Sequence, residues 1–147
     1  MIKDIDIVIY GATGFTGQLC VKYFQSLDLD IKWAIAGRNL GKLENVASKF
    51  SSNVEILVAD SDDKKALKDI CSRSKVVLST AGPFHRYGSK LVATCIENDT
   101  HYVDITGENF WVKGLIEKHH KEAARKGIRI IPSCGFDSIP SDIGTFF

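Results

Sequence analysis

The sequence predicts an α/β fold, a doubly wound parallel sheet of six strands, and three observations carry that expectation. Short, almost continuously apolar runs alternate with amphipathic helical stripes along the whole chain. A glycine-rich turn follows the first run, and no repeat, low-complexity tract or interdomain linker breaks the alternation. Parallel strands need a crossover between them, normally a helix packed on the sheet, so such alternation marks successive β-α-β units. The 147 residues, 44% apolar and 25% charged, are expected to form one domain over 1–147. A chain of this size buries roughly two thirds of the surface its unfolded form exposes, enough to hold a core without disulfides or metals.

Ile5-Asp-Ile-Val-Ile-Tyr10 is β-branched and apolar, as expected of a strand covered on both faces, and it stops at Gly11. From Thr16, the residues Cys20, Tyr23, Phe24 and Leu27 fall at i, i+3, i+4 and i+7, one stripe of a helix. Lys32 to Ala36 forms the second strand, and Leu40, Leu43, Val46, Ala47 and Phe50 carry the helix after it. Val54 to Ala59 is the third strand, and the acidic run Asp60 to Asp63 opens a helix from about Lys64 to Ser72, where carboxylates complement the positive helix end. Val76 to Ser79 is the fourth strand, closed by Ala81-Gly82-Pro83, and Leu91, Val92, Cys95 and Ile96 make a helical stripe ending near Asn98. Tyr102 to Ile105 is the fifth strand, Trp111 to Arg125 a helix ending at Gly127, and Arg129 to Ile131 the sixth strand. The segment from Ser133 to Phe147 has turn chemistry and then an apolar pattern that completes no element.

With 19 Lys+Arg against 18 Asp+Glu, the net charge of +1 gives no general drive toward nucleic acid or anionic lipid. No apolar stretch approaches the ~20 residues of a spanning helix, and the opening Met1-Ile-Lys-Asp4 runs into a strand without a secretory leader. Cys20, Cys71, Cys95 and Cys134 lie far apart with no C-x-x-C pair and read as reduced, mostly buried thiols. An intracellular, cytoplasmic location is therefore expected.

The strongest signal is Gly11-Ala-Thr-Gly-Phe-Thr-Gly17 between the first strand and its helix. Its G-x-x-G-x-x-G spacing is a variant of the dinucleotide fingerprint. One glycine permits the sharp turn, one lets backbone approach a pyrophosphate, and one lets the helix pack closely on the sheet, so that free N–H groups and the helix dipole face the phosphates. Thr13 and Thr16 add hydroxyls. No Gly-Lys-Ser/Thr follows, so the turn is not a P-loop. The fold class thus sharpens to a Rossmann-type sheet with strand order 3-2-1-4-5-6.

Cofactor choice is decided where the second strand ends. An NAD enzyme usually places Asp or Glu there for the ribose 2′-OH. Here the strand exits at Gly37-Arg38-Asn39, and Asp28 and Asp30 come before it, at the opposite edge. A guanidinium can bond a 2′-phosphate that a carboxylate would repel, so Arg38 favours NADP over NAD. Asp60, ending the third strand, would sit beside the adenine or else serve as a helix N-terminal carboxylate. Thr80-Ala81-Gly82-Pro83 ends the fourth strand at the topological switch point, where small residues let backbone approach the nicotinamide ribose. Asp104, Gly107 and Glu108 follow the fifth strand at the same edge.

Other chemical residues carry weaker signals. His119 and His120 lie on a basic helix with Lys118, Lys121 and Arg125, a solvated face rather than metal ligands. His85 reads as a loop histidine, Cys134 is a nucleophile only if a base lies nearby, and Tyr87 begins no Tyr-x-x-x-Lys pair because Lys90 comes one position early.

With Gly11 to Gly17, Ala36-Gly-Arg-Asn39, Ala81-Gly-Pro-Phe-His-Arg-Tyr-Gly88, Tyr102-Val-Asp-Ile-Thr-Gly-Glu108 and Cys134-Gly-Phe-Asp-Ser-Ile-Pro-Ser-Asp142, the chain resembles the saccharopine dehydrogenase-like oxidoreductases. It is similar in particular to the branch that contains the trans-acting enoyl reductases, and the resemblance runs over essentially the whole chain. The resemblance implies a Rossmann domain followed by a longer domain, absent from this chain, that completes the substrate site and often mediates homodimer formation. It implies that Gly11, Thr13, Gly14, Phe15, Thr16 and Gly17 hold the pyrophosphate, Arg38 and Asn39 the adenosine phosphate end, and Ala81, Gly82 and Pro83 the nicotinamide side. It implies hydride transfer between NADP(H) and a small-molecule or lipid substrate, lipid-like or amino-acid-like, by the full-length protein, this stretch alone being inactive. Any membrane or lipid-droplet association would belong to the further domain, and no catalytic residue carries over. A module that binds or senses NADP(H) without turnover is the alternative, since fold alone does not separate the two. An epimerase of the extended short-chain type shares the glycine spacing but lacks the tyrosine-lysine pair its chemistry uses.

Overall fold

The computed structural model describes residues 3–27, 30–50 and 53–147; Met1, Ile2 and Asp28, which enter the sequence reading, lie outside them. Six strands, β1 (Ile5–Tyr10), β2 (Trp33–Gly37), β3 (Glu55–Val58), β4 (Ser74–Ser79), β5 (His101–Asp104) and β6 (Ile130–Ile131), form a single sheet in the order β3-β2-β1-β4-β5-β6. Every neighbouring pair is parallel. The helices α1 (Phe15–Ser26), α2 (Leu40–Phe50), α3 (Lys64–Arg73), α4 (Phe84–Glu97) and α5 (Asn109–Lys126) supply the crossovers, and α6 (Ile139–Phe146) follows β6. The expected fold class and strand order are those of the structure.

Strand alternation sorts the core onto the two faces of the sheet. Val8 and Tyr10 of β1 and Ala34 and Ala36 of β2 pack with Leu67, Ile70, Leu91, Val92, Cys95 and Trp111 from α3, α4 and α5. Ile9 and Ile35 point the other way and pack with Val21, Leu43, Val46 and Ala47 from α1 and α2. Because successive side chains of a strand face opposite sides, a nearly continuous apolar run is what a sheet covered on both faces requires.

Two segments differ from the sequence reading. α4 begins at Phe84 rather than near Leu91, so His85 is helical and not in a loop. Its first turn carries His85, Arg86 and Tyr87, with only Phe84 and Gly88 buried, which leaves too little apolar signal for periodicity to register. Gly88 is required there for packing, since a Cβ would lie 2.6 Å from the indole of Trp111 on α5. The C-terminal segment does complete an element, α6, with Pro140 in its first turn and no residue buried.

The edge of the sheet opposite the glycine turn is held by one cation. Lys3 Nζ lies 2.6 Å from Thr100 Oγ1 and 2.7, 2.9 and 3.1 Å from the carbonyl oxygens of Ser74, Asn98 and Cys71. Those carbonyls belong to the ends of α3 and α4 and the start of β4, so a single ammonium satisfies helix C-terminal groups that have no intrahelical partner. Exposed ion pairs such as Lys75 with Asp6 contribute far less. Urea unfolding should therefore show Lys3→Met lowering stability by about 2 kcal/mol, whereas Lys75→Met changes it by at most about 0.5 kcal/mol; equal losses would remove Lys3 from this role.

Candidate functional site

The C-terminal ends of β1, β2 and β4 meet at the glycine turn. Gly11 and Ala12 donate their amides to Ala36 O, and Thr80 donates its amide to Tyr10 O, so the three strand ends are joined by backbone hydrogen bonds. The Thr80 hydroxyl lies 3.2 Å from Gly11 O and 3.3 Å from Tyr10 O, which locks the turn against the loop after β4.

The three glycines of the turn have different reasons to be glycine. Gly11 has a φ of +86°, a left-handed conformation, and a Cβ there would come within 2.8 Å of the Ala81 amide nitrogen. A Cβ on Gly17 would lie 2.2 Å from Gly11 O, so α1 can leave the turn only with glycine at that position. Gly14, the N-cap of α1 at φ −75° and ψ 169°, has no such conflict inside the chain, its nearest contact being Gly11 O at 3.4 Å. Its missing side chain leaves open the approach to the helix end.

That end is unsatisfied. No side chain caps α1, and the amides of Phe15, Thr16 and Gly17 meet no acceptor among the described residues. Free amides at the positive end of a helix make an anion site when a cleft lies before them. Such a cleft, of about 270 Å³, is lined by Tyr10, Gly11, Thr13, Gly14, Gly37, Arg38, Ser61, Thr80, Ala81, Gly82 and Tyr87. A phosphate group suits the helix end, and the cleft runs from Arg38 to Gly82 across the switch point, the path along which such sheets carry a dinucleotide.

Of the residues singled out in the sequence, Gly11, Thr13, Gly14, Arg38, Thr80, Ala81 and Gly82 line this cleft together. Phe15 begins α1 and is 83% exposed, and Thr16 and Gly17 follow it in the same turn. Arg38 has no ion-pair partner among the described residues, which leaves its guanidinium available. Asn39 turns its Oδ1 to the Lys42 amide at 2.9 Å and so caps α2, leaving its amide group to donate elsewhere. Asp60 accepts the Asp62 amide at 2.9 Å in a turn, while the cap of α3 is Asp63, which accepts from Lys65 and Ala66. Pro83 is the N-cap of α4.

Tyr10, Ser61 and Tyr87 also line the cleft and carry no motif that would have marked them. Tyr10 is buried, donates to Ala59 O at 3.2 Å, and has its ionisation pushed up by burial. Tyr87 sits one turn into α4, and the earlier start of that helix is what brings it to the cleft.

Beside this cleft, the ends of β4 and β5 carry a polar network. Asp104, almost wholly buried, accepts from the Tyr102 hydroxyl at 2.8 Å, the Thr106 amide at 2.9 Å and the Ser133 amide at 3.0 Å. Burial pushes its carboxyl above the usual range, and those hydrogen bonds oppose the shift without cancelling it. The Thr106 hydroxyl accepts the Glu108 amide, and the Glu108 carboxylate crosses to α4, accepting the Phe84 and His85 amides, each at 2.8 Å. Partial burial raises the Glu108 carboxyl, but the His85 amide and ring and the Phe84 amide outweigh it and hold the group below its usual range.

Cys134 lies near the same network, where burial and the Asp104 charge push its thiol up, the wrong direction for a nucleophilic thiolate. Cys71 and Cys95 are buried 3.6 Å apart between α3 and α4, and burial pushes Cys95 up as well. His119 and His120 border a separate, largely apolar groove of about 350 Å³ between α5 and β6, away from the glycine turn. No helix among the described residues is long and apolar enough to cross a membrane.

The family description "Saccharopine dehydrogenase NADP binding domain" matches residues 7–131. The chain belongs to that family. The trans-acting enoyl reductase of Mycobacterium leprae is 42% identical over 147 residues, covering 98% of this chain and 35% of that protein. The trans-acting enoyl reductase of Mycobacterium ulcerans is 41% identical over 144 residues, covering 96% and 34%. The apo saccharopine dehydrogenase (L-Glu forming) of Saccharomyces cerevisiae superposes with a TM-score of 0.76 at 22% identity, over 91% of this chain and 28% of that one, and so shares the fold. The chain thus spans about a third of the length of these curated relatives. The domain is an NADP-binding domain.

The contrast between the glycines is testable without any ligand. Gly17→Ala forces a Cβ into Gly11 O and should lower Tm by roughly 10 °C, whereas Gly14→Ala should shift it by no more than about 3 °C. Thermal unfolding followed by circular dichroism reads both, and equal shifts would contradict the assigned roles.

Proposed function

We propose that Gly11, Thr13, Gly14, Phe15, Thr16 and Gly17 hold the diphosphate of NADP(H), that Arg38 and Asn39 take the 2′-phosphate, and that Thr80, Ala81, Gly82 and Pro83 flank the nicotinamide ribose. The observation that carries this reading is the uncapped end of α1, whose free amides face a cleft with the unpaired Arg38 at its far side. The Phe15, Thr16 and Gly17 amides would donate to the diphosphate, and Gly14 would contribute by placing no Cβ in its way. Asp60 closes the adenine side beside Ser61, with Tyr10 as the floor.

The protein of which this domain is the cofactor half is an oxidoreductase that reduces a polarised double bond. When bound, the reduced nicotinamide supplies a hydride. This chain's residues orient that group and exclude water from one of its faces. The names of the relatives support an enoyl-type acceptor, lipid-like rather than amino-acid-like. A further domain completes the substrate site and provides the dimer contact, so 1–147 alone binds the cofactor without turnover. The relatives' greater length supports this, as do the apolar residues Ile143 and Phe146, which α6 leaves exposed.

Isothermal titration with both cofactors tests the reading. Arg38→Ala should weaken NADPH binding by about 10- to 100-fold, the loss of a charge-assisted contact, and NADH binding by less than about threefold. Equal losses for the two cofactors would overturn the assignment of Arg38.

A further inference from the structure

His85, in the first turn of α4, and Glu108, in the loop after β5, meet although they are 23 residues apart in sequence. Glu108 Oε2 lies 2.6 Å from His85 Nδ1 and accepts the His85 amide at 2.8 Å, while Oε1 accepts the Phe84 amide. The ring of Phe110 lies against the imidazole with centroids 5.6 Å apart. One carboxylate therefore fixes both the start of α4 and the rotation of the imidazole, and Asp104 and Thr106 fix that carboxylate's loop in turn.

The consequence is chemical. A carboxylate accepts only, so the proton of the pair resides on Nδ1, and Nε2 is the nitrogen left to gain and lose a proton. Nε2 has no partner among the described residues, although Glu108 and Phe110 hold the ring from two sides and leave it half exposed. A cap for α4 would need only the two amides. The oriented ring with its outer nitrogen unused is the arrangement of a base and its orienting acid. It stands in the first turn of α4, at the C-terminal edge of the sheet, between Gly82 and Tyr87, which line the cleft; His85 itself borders the cleft's mouth rather than its wall.

We propose that His85 is the acid–base residue of the reaction and that Glu108 is its positioning residue; this rests on the cofactor placement proposed above. When hydride bonds to one atom of a double bond, the π electron pair moves to the other atom, which then takes a proton. His85, doubly protonated, gives the Nε2 proton to that second atom as the π bond breaks. The ring is left neutral with Nδ1–H toward Glu108, and water restores the Nε2 proton. In the oxidative direction, the neutral ring takes the proton back. Arg86 is the charged neighbour on the same helix and Glu108 the titratable partner from the β5–α5 loop.

A footprint on the full-length protein tests the placement without turnover. Diethyl pyrocarbonate modifies an unprotonated imidazole nitrogen, which here is Nε2, and peptide mass spectrometry reads the rate at His85. NADP+ at ten times its Kd should slow that rate about tenfold, since only the free protein reacts. The fragment 2′,5′-ADP, which lacks the nicotinamide half, should leave it unchanged. If NADP+ binds by titration yet His85 reacts as before, the proposal is wrong while the cofactor site stands. If NADP+ does not bind, the cofactor site fails first. With trans-2-enoyl thioesters and NADPH, His85→Gln should keep the KM for NADPH within twofold and lower kcat by about 10²-fold or more. Glu108→Gln, which still accepts the α4 amides, should lower kcat and move the pH profile without changing cofactor affinity. An unchanged kcat in His85→Gln overturns the proposal, and where no thioester is reduced the footprint alone decides it.

Discussion

Everything at the functional edge depends on the contact between Gly17 and Gly11 O. With a 2.2 Å separation for any added Cβ, α1 must rise directly from the turn, its first amides pointing back over the end of β1. The turn cannot relax away, because Gly11 and Ala12 are tied to β2 through Ala36 O and Thr80 ties the same turn to β4. The sheet therefore fixes the helix axis, and the helix end has no capping side chain to consume its dipole. A phosphate-sized anion is the natural complement of that arrangement, and the charge that extends it outward is Arg38.

A second set of constraints works between β4 and β5. Asp104 is a buried acceptor whose three donors come from β5, the loop after it and the segment after β6. By accepting from Ser133, which has a φ of 60°, it holds that left-handed residue in place and with it the chain toward α6. The same loop delivers Glu108 to α4. The loop that follows β5 is thus positioned beside the β4 end of the cleft through long-range hydrogen bonds, whereas the β1–β2 end is shaped by the glycine turn together with Tyr10, Arg38 and Ser61.

That difference explains what was legible in the sequence. The strands and their order follow from apolar runs with local periodicity, and the glycine turn from residues within seven positions of one another, so both could be read in advance. The start of α4 could not be read from its own residues. Its cap is Glu108, more than twenty positions downstream, and its first turn is polar on the face that meets the cleft. His85 and Tyr87 therefore carry no local signal that places them on a helix, although Pro83 ahead of them is a helix-start signal that could have done so. α6 was legible in principle, since Ile139, Ile143 and Phe146 fall at i, i+4 and i+7, but none of its residues is fully buried and so it offered no core to anticipate.

The central claim is that the uncapped start of α1 is where the diphosphate of NADP(H) sits, and amide NMR on the 15N-labelled protein addresses it most directly. On titration with NADPH, the amide resonances of Phe15, Thr16 and Gly17 should move furthest, followed by those of Arg38 and of Thr80 to Gly82, while the α5–β6 groove stays unperturbed. Saturable shifts centred on α5 and β6, with the α1 amides unmoved, would contradict the account.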